Sequence, residues 1–555
     1  MKIITLIFAV LLLFTNIGTA QDLGRISGNF QIDAQGYTKD SAIGTEDVPD
    51  GMRSNSYLLL NWDYGNFKIG MRYENYSNPL LGFEKAYAGS GIAYRFFEYK
   101  EDLFDVTAGN FYEQFGSGII FRSYEERQLG IDNAMDGFRV RFRPSEGIEL
   151  KALIGKQRNF WGLGDGIVRA ADAQFSLGSL VEGIVGEGND LILGGSVVSK
   201  YQTDMQTYLD LPLNVLAYSL RAGFSSEGFN FDAEYAYKFN DPNATNNYNF
   251  NPGYGLILNA AIFGSGYGLT INAHKIDNMD FRSSRDARSN SLTLGFIPPL
   301  TLQHAFRLTT IYPFATQLNG EAGIQAEFTY TFPANSFLGG EYGTTVNLNY
   351  SRVQSIDTTH TEMDTVKNRP FKYDSPFFGI GSRCYFQDIT LEISKKFSKD
   401  FKSFFSVVSV VYDKDLLENG GAAKIGKVYA TTLIAELTYK FSVKNSLRCE
   451  FQYMFSTQDS TLHQPDNING DWAMVLAEYT IAPSWYFTVW DEYNIGNEFV
   501  ENRLNYLNGA VAYVHNSFRV SLGYGRQRSG VLCVGGVCRT VPASNGPSLS
   551  VSATF

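Results

Sequence analysis

The chain has 555 residues, a formal net charge of −11, 15% aromatic side chains, 54 glycines and only 16 prolines. So acidic a balance argues against nucleic acid as a partner. No apolar run beyond Ala20 approaches the ~20 residues of a membrane helix, which excludes a helical membrane protein; a mean hydropathy of −0.16 still allows one that crosses with strands.

In chain order, Met1-Lys2-Ile3 precede an apolar run from Ile4 to Phe14 and a small-residue stretch ending at Ala20. This is the layout of a secretory signal peptide. Residues 1–20 are expected to be removed, leaving residues 21–555 as one domain. The first strand-like segment, Ile26–Tyr37, follows closely. From there the dominant signal has period two, because successive side chains of a strand point to opposite faces. Phe138, Val140 and Phe142 oppose Arg139, Arg141 and Arg143. Phe229, Phe231, Ala233, Tyr235, Tyr237 and Phe239 oppose Asn230, Asp232, Glu234, Ala236 and Lys238. The split returns in Leu433–Phe441 and Leu447–Phe455, and again where Leu549, Val551, Ala553 and Phe555 oppose serines and a threonine. A soluble sandwich also alternates, but its strands average about 5–6 residues. These run to about ten or more, as a tilted strand crossing a bilayer requires.

The links alternate in length. Short ones, such as Tyr64–Asn66, Ser225–Glu227 and Val443–Asn445, are separated by long polar stretches, such as Lys39–Arg53, Asn240–Pro252, Ser355–Arg383, Asp413–Gly426 and Gln458–Asp471. Outer-membrane barrels pair short periplasmic turns with long extracellular loops. Parity holds if Gln303–Tyr312 is also a strand. The expectation is an all-β fold: a single transmembrane antiparallel up-and-down β-barrel of about 26 strands, within about 24 to 26, with both mature termini periplasmic. Phe332, Phe397, Phe441 and Phe555 end strands beside the short turns, where an interfacial aromatic girdle belongs. The strand signal is weak over Phe115–Asp136 and Gly178–Asn189.

The last residues, Leu549-Ser550-Val551-Ser552-Ala553-Thr554-Phe555, resemble the terminal strand of bacterial outer-membrane β-barrel proteins. The resemblance implies that Phe555 is part of a signal read by the barrel-assembly machinery and that outer-membrane lipid surrounds the barrel. A second stretch, Tyr112–Gly118 through Tyr124–Asn133, looks like one from an uncharacterised family of large, plugless, porin-like barrels. TonB-dependent transporters carry a plug domain ahead of the barrel, and no room for one is seen between Ala20 and Ile26.

The most unusual loop is Gly116–Asp136, with Arg122, Glu125, Glu126, Arg127, Asp132 and Asp136 among its residues. It is expected to join strands five and six. The next strand carries Arg139, Arg141 and Arg143 on its polar, lumen-facing side, a row of like charge that is costly unless opposite charge or water meets it. An inward fold bringing Glu125, Glu126 and Asp132 to that row would resemble a porin constriction. A solvated outer loop, or a fixed structural plug, are the alternatives. Cys533-Val534-Gly535-Gly536-Val537-Cys538 reads as a hairpin tip that places Cys533 opposite Cys538, within disulfide range. His274, His304, His360, His463 and His515 are scattered, and the sequence has no H-E-x-x-H, G-x-S-x-G or P-loop. An enzyme is not expected, and no cofactor or metal is assigned. The Asn- and Asp-rich loop Asn240–Asn251 reads as solvated rather than as a Ca²⁺ site.

So wide a barrel leaks unless loops, inward-folded segments or an unidentified protein partner narrow it. The leading expectation is a porin-like channel for passive diffusion of small polar solutes. The alternative is a sealed barrel that acts as a binding or assembly scaffold for surface or periplasmic partners.

Overall fold

A computed structural model describes residues 24–181, 183–203, 209–364, 369–422, 425–459 and 467–555. The expected signal peptide, residues 1–20, lies outside the described residues, as do parts of the long links Ser355–Arg383, Asp413–Gly426 and Gln458–Asp471, and one residue of Gly178–Asn189.

Twenty-four strands form one antiparallel sheet closed on itself. Each pairs with its neighbours in sequence, from Arg25–Gly36 and Met52–Tyr64 round to Phe518–Gln527 and Ser544–Thr554. The first and last strands close the ring, with Ile32 opposite Val551 and Asn29 opposite Thr554. Closure leaves no edge strand unpaired, which lipid requires of any spanning sheet. The number of strands falls at the lower end of the expected range. Part of the difference is local. Gln303–Tyr312 is no strand but part of the link between the strands Tyr267–Asp277 and Gly320–Phe332. Pro298, Pro299 and Pro313 flank it, and its backbone makes turn bonds, Thr310 N to Phe306 O and Ile311 N to Leu308 O. Its side chains turn inward.

The alternation places the apolar face outward. Leu216, Tyr218 and Leu220 are exposed, while Val215, Ala217 and Ser219, between them, are buried. Phe138 and Phe142 are exposed, and Arg139 is buried. Leu433, Tyr439 and Phe441 face out beside the inward Thr432 and Ile434. Rings gather at both rims: Tyr64, Phe67, Phe397, Phe441, Trp485 and Phe518 at the short-turn end, and Phe239, Tyr429, Phe455, Tyr493 and Tyr524 at the long-loop end. An apolar band between aromatic girdles is a surface for lipid, since exposed apolar area of this extent is not kept in water. No described helix is long and apolar enough to cross a membrane.

At the closure seam the Phe555 backbone exchanges two hydrogen bonds with Gly28, at 2.9 and 3.0 Å. The Phe555 ring lies over Gly28, and a Cβ there would stand 2.4 Å from it. Gly28 is therefore the residue that lets the terminal ring dock. Gly28→Val is expected to lose about 1–3 kcal/mol through overpacking, read as a smaller fraction of heat-modifiable, folded barrel on a gel. Gly268→Ala, with open space around its Cβ position, should behave as wild type; equal behaviour of both variants would contradict this role for the seam.

Candidate functional site

The link Tyr112–Ala134 bends into the lumen instead of extending outward. Glu113 and Gln114 pair with Ser123 and Arg122 in a short ladder, and the tip between them carries Phe115, Ile119, Ile120 and Phe121, each fully buried. These residues pack with Met279, Phe281, Leu294 and Ile297 of the second in-folded link, residues 278–319, and with inward side chains of the wall from Leu153 through Val168, Val198, Val215 and Ala236 to Ile276. Gly116 makes the approach possible. Its φ is +52°, and a Cβ would meet the Glu234 carboxylate at 2.6 Å; that carboxylate accepts the Ser117 N–H at 2.8 Å.

A second apolar cluster continues around the wall. Leu300, Leu308, Ile311, Tyr312 and Phe314 of the same in-folded link meet Phe386, Val408, Tyr412, Val428, Met454 and Trp472. The segment taken from sequence as a strand is thus a core-forming part of an internal plug. Burying each large apolar side chain contributes roughly 1.5–3 kcal/mol.

The remaining arc is held by charge. Arg72, from the strand Phe67–Asn78, and Arg158, from Ile148–Asn159, clasp Asp132 between them. Arg158 also bonds Glu74 at 2.6 Å, and Arg72 bonds Glu74 at 2.7 Å and Glu125 at 3.0 Å. The Tyr112 hydroxyl donates to Asp132 at 3.0 Å. Arg72 and Glu74 are 3% and 1% exposed, so breaking one pair leaves a charge stranded away from water.

The expected partners of the arginine row are therefore corrected. Glu113, not Glu125, Glu126 or Asp132, meets it, at 2.7 Å from Arg141 and 3.4 Å from Arg139. Arg143 pairs with Asp105 at 2.7 Å. The physical cause is the inward bend at Glu113, which sets its carboxylate over the row and carries Asp132 on to Arg72 and Arg158. Arg127 bonds Glu125 at 2.7 Å and Gln31 at 2.8 Å. Arg122 stacks on Tyr124 and Phe296. Among the described residues the Glu126 carboxylate accepts a local N–H, from Gln128. Asp136 shares the outward face of Phe138 and pairs with the exposed Arg95 at 3.3 Å, so it is not a lumen charge. Glu113, Arg72, Glu74 and Arg158 escaped sequence reasoning because, apart from the Arg72–Glu74 pair within one strand, their partners lie elsewhere in the chain.

The hairpin Gly530–Val541 also turns inward, with Cys533 and Cys538 joined by a disulfide and Gly535-Gly536 at the tip. It braces both in-folded links. Arg539 donates to Gln128 O at 2.7 Å, Asn290 to Cys538 O at 2.8 Å, and Thr316 N to Gly536 O at 3.1 Å. In the loop Asn240–Asn251, Asn243, Asn246 and Asn249 are buried and spend their side chains on nearby backbone and on Asn278. Among the described residues, no group of three or more His, Cys, Asp or Glu side chains is placed to hold a metal.

Below the plug, toward the short turns, the lumen is charged and partly open to solvent. Arg448 is ringed by Glu450 at 2.9 Å, Glu436 at 3.1 Å and Glu478 at 3.5 Å, all but Glu450 about a quarter exposed.

Two outcomes test this arrangement. Asp132→Ala is expected to cost about 1.5–3 kcal/mol by removing the carboxylate that Arg72 and Arg158 share, while both keep Glu74; it should be seen as faster proteolysis within residues 124–134 of the folded protein, and unchanged protection would contradict the ionic clasp. Alkylation of the unfolded, unreduced chain should modify two cysteines, Cys384 and Cys449, and four after reduction. Four before reduction would mean that the hairpin is not bridged.

No curated protein sequence matches the chain. Among solved structures it is similar to the siderophore receptor PirA from Pseudomonas aeruginosa, at 10% identity over 97% of this chain and 81% of that one, with a TM-score of 0.40. The outer membrane transporter YddB from Escherichia coli matches at 8% identity over 95% and 81%, TM-score 0.40. OccAB3 from Acinetobacter baumannii matches at 10% over 96% and 99%, TM-score 0.35. Likenesses this distant bear on neither substrate nor mechanism. A family model matches the chain over residues 1–555, and the chain belongs to that family, a family of unknown function (DUF6029).

Proposed function

We propose that this protein is an outer-membrane barrel held shut by its own loops, a sealed scaffold that offers a loop surface on one side and a polar vestibule on the other. In this reading the short turns and both mature termini face the periplasm, and Phe555 serves the barrel-assembly machinery during insertion. The observation that carries it is the pair of buried apolar clusters in which the in-folded links pack against the wall from Leu153 round to Trp472. A dry, close-packed core of this kind is not a path for polar solutes. An unidentified protein partner would then meet the loops or the vestibule and would not be needed to close the lumen.

The porin-like reading keeps one specific support, the wet charged vestibule around Arg448. It requires the plug to shift before a small polar solute can pass by diffusion. Charges of both signs there, Arg143 with Glu149 and Arg448 with three glutamates, would then set selectivity.

Planar-bilayer recording separates the two. The wild-type protein is expected to give no steady conductance, while Phe121→Asp, which puts a carboxylate into the apolar cluster, should open discrete events. A sustained wild-type conductance matching that of a general porin would overturn the sealed reading.

A further inference from the structure

Between the in-folded link and the strands Trp485–Asn494 and Phe518–Gln527 lies a cavity of about 310 Å³, at the small end of ligand-sized sites. The disulfide hairpin roofs it, and Pro299, Phe314 and Phe386 supply apolar wall. Three charged side chains line it: Arg307, Arg528 and Glu492. Arg307 donates through Nε to one oxygen of Glu492, and Arg528 donates through Nε to the other, at 3.3 Å. Glu492 is 3% exposed and Arg307 39%. Each guanidinium is thus hydrogen-bonded through one nitrogen, and that of Arg307 also lies over the Trp490 ring, 4.8 Å from its centroid. Among the described residues, no hydrogen bond uses the terminal amino groups of either. His304 also lines the cavity, and its Nε2 is taken by Asp388 at 2.6 Å.

Among the charged side chains that line the cavity, two guanidiniums face one carboxylate, and the Asp388 carboxylate beside it is taken by His304. The donors still free are the paired N–H groups that match an oxyanion in fork geometry. We propose that this cavity binds a small oxyanion, a carboxylate or phosphate group held by the terminal amino groups of Arg307 and Arg528 beneath the disulfide hairpin. The site stands whether or not the lumen conducts, because it needs only access for one small ion.

The test is calorimetric titration of the full-length, folded protein in detergent at constant ionic strength, with acetate, succinate and inorganic phosphate as probes and chloride as control. At least one oxyanion should bind saturably, and which one does so tells carboxylate from phosphate. Arg307→Gln and Arg528→Gln should each weaken it by roughly tenfold or more, the scale of one charge-assisted contact. Arg95→Gln, on the outer surface, should leave it unchanged. Glu492→Gln should tighten it, since the competing carboxylate is gone, an effect that a merely structural role for Glu492 would not produce. Heat-modifiability on a gel confirms that each variant is folded. Absence of saturable binding by the wild type, or equal binding by folded Arg307→Gln and Arg528→Gln, would overturn the proposal.

Discussion

A closed ring of twenty-four strands is too wide for its own wall side chains to fill. Strand number sets barrel diameter, and rings well short of this size already enclose an aqueous channel. Everything else in the structure answers that constraint. The wall must be apolar outside for lipid, and whatever occupies the lumen must be matched from within. This chain fills the long-loop half with its own links and leaves the short-turn half to water.

The match shows in the change of inward character along single strands. In Asn214–Ser226 the inward residues run from Val215 and Ala217 to Ser219 and Arg221. In Phe401–Asp413, Val408, Val410 and Tyr412 are buried against the plug. The apolar clusters supply most of the adhesion, while the ion pairs around Arg72, Arg158 and Asp132 fix where the link Tyr112–Ala134 sits. Pairs of this kind often add little net stability but are costly to break, so they act chiefly by penalising every other placement of the loop.

Much of the barrel is legible in the sequence because period two is a local signal: each strand declares its faces without its neighbours. The disulfide hairpin is legible for the same reason, with six consecutive residues defining the turn. The plug is not. Its residues meet partners more than a hundred residues away, such as the Asn133 side chain at Thr293 and the Ser117 N–H at Glu234, and nothing local announces them. Two traces were nonetheless present. Val407–Tyr412 is apolar on both faces but for Ser409, which a water-filled lumen would not favour. Phe115, Ile119, Ile120 and Phe121 form an apolar knot in a link otherwise rich in charge. The segment Gln303–Tyr312 misled because the alternation of short and long links asks for a strand there, while its mixed content, with Gln303, His304, Arg307, Thr309 and Thr310 among the apolar residues, declares no face of its own.

The central claim is that the loop-end half of the lumen is dry and the turn-end half is wet. Its most direct test is labelling of single cysteines placed on the inward face, with Cys384 and Cys449 replaced by alanine, using a small water-borne thiol reagent on the folded protein. Ala217→Cys, in the plugged half, is expected to stay unmodified until the barrel is unfolded, while Asp232→Cys, exposed toward the short turns, should react readily. Rapid modification of both at comparable rates would mean that water fills the lumen from end to end, and the account of a barrel shut by its own loops would be wrong.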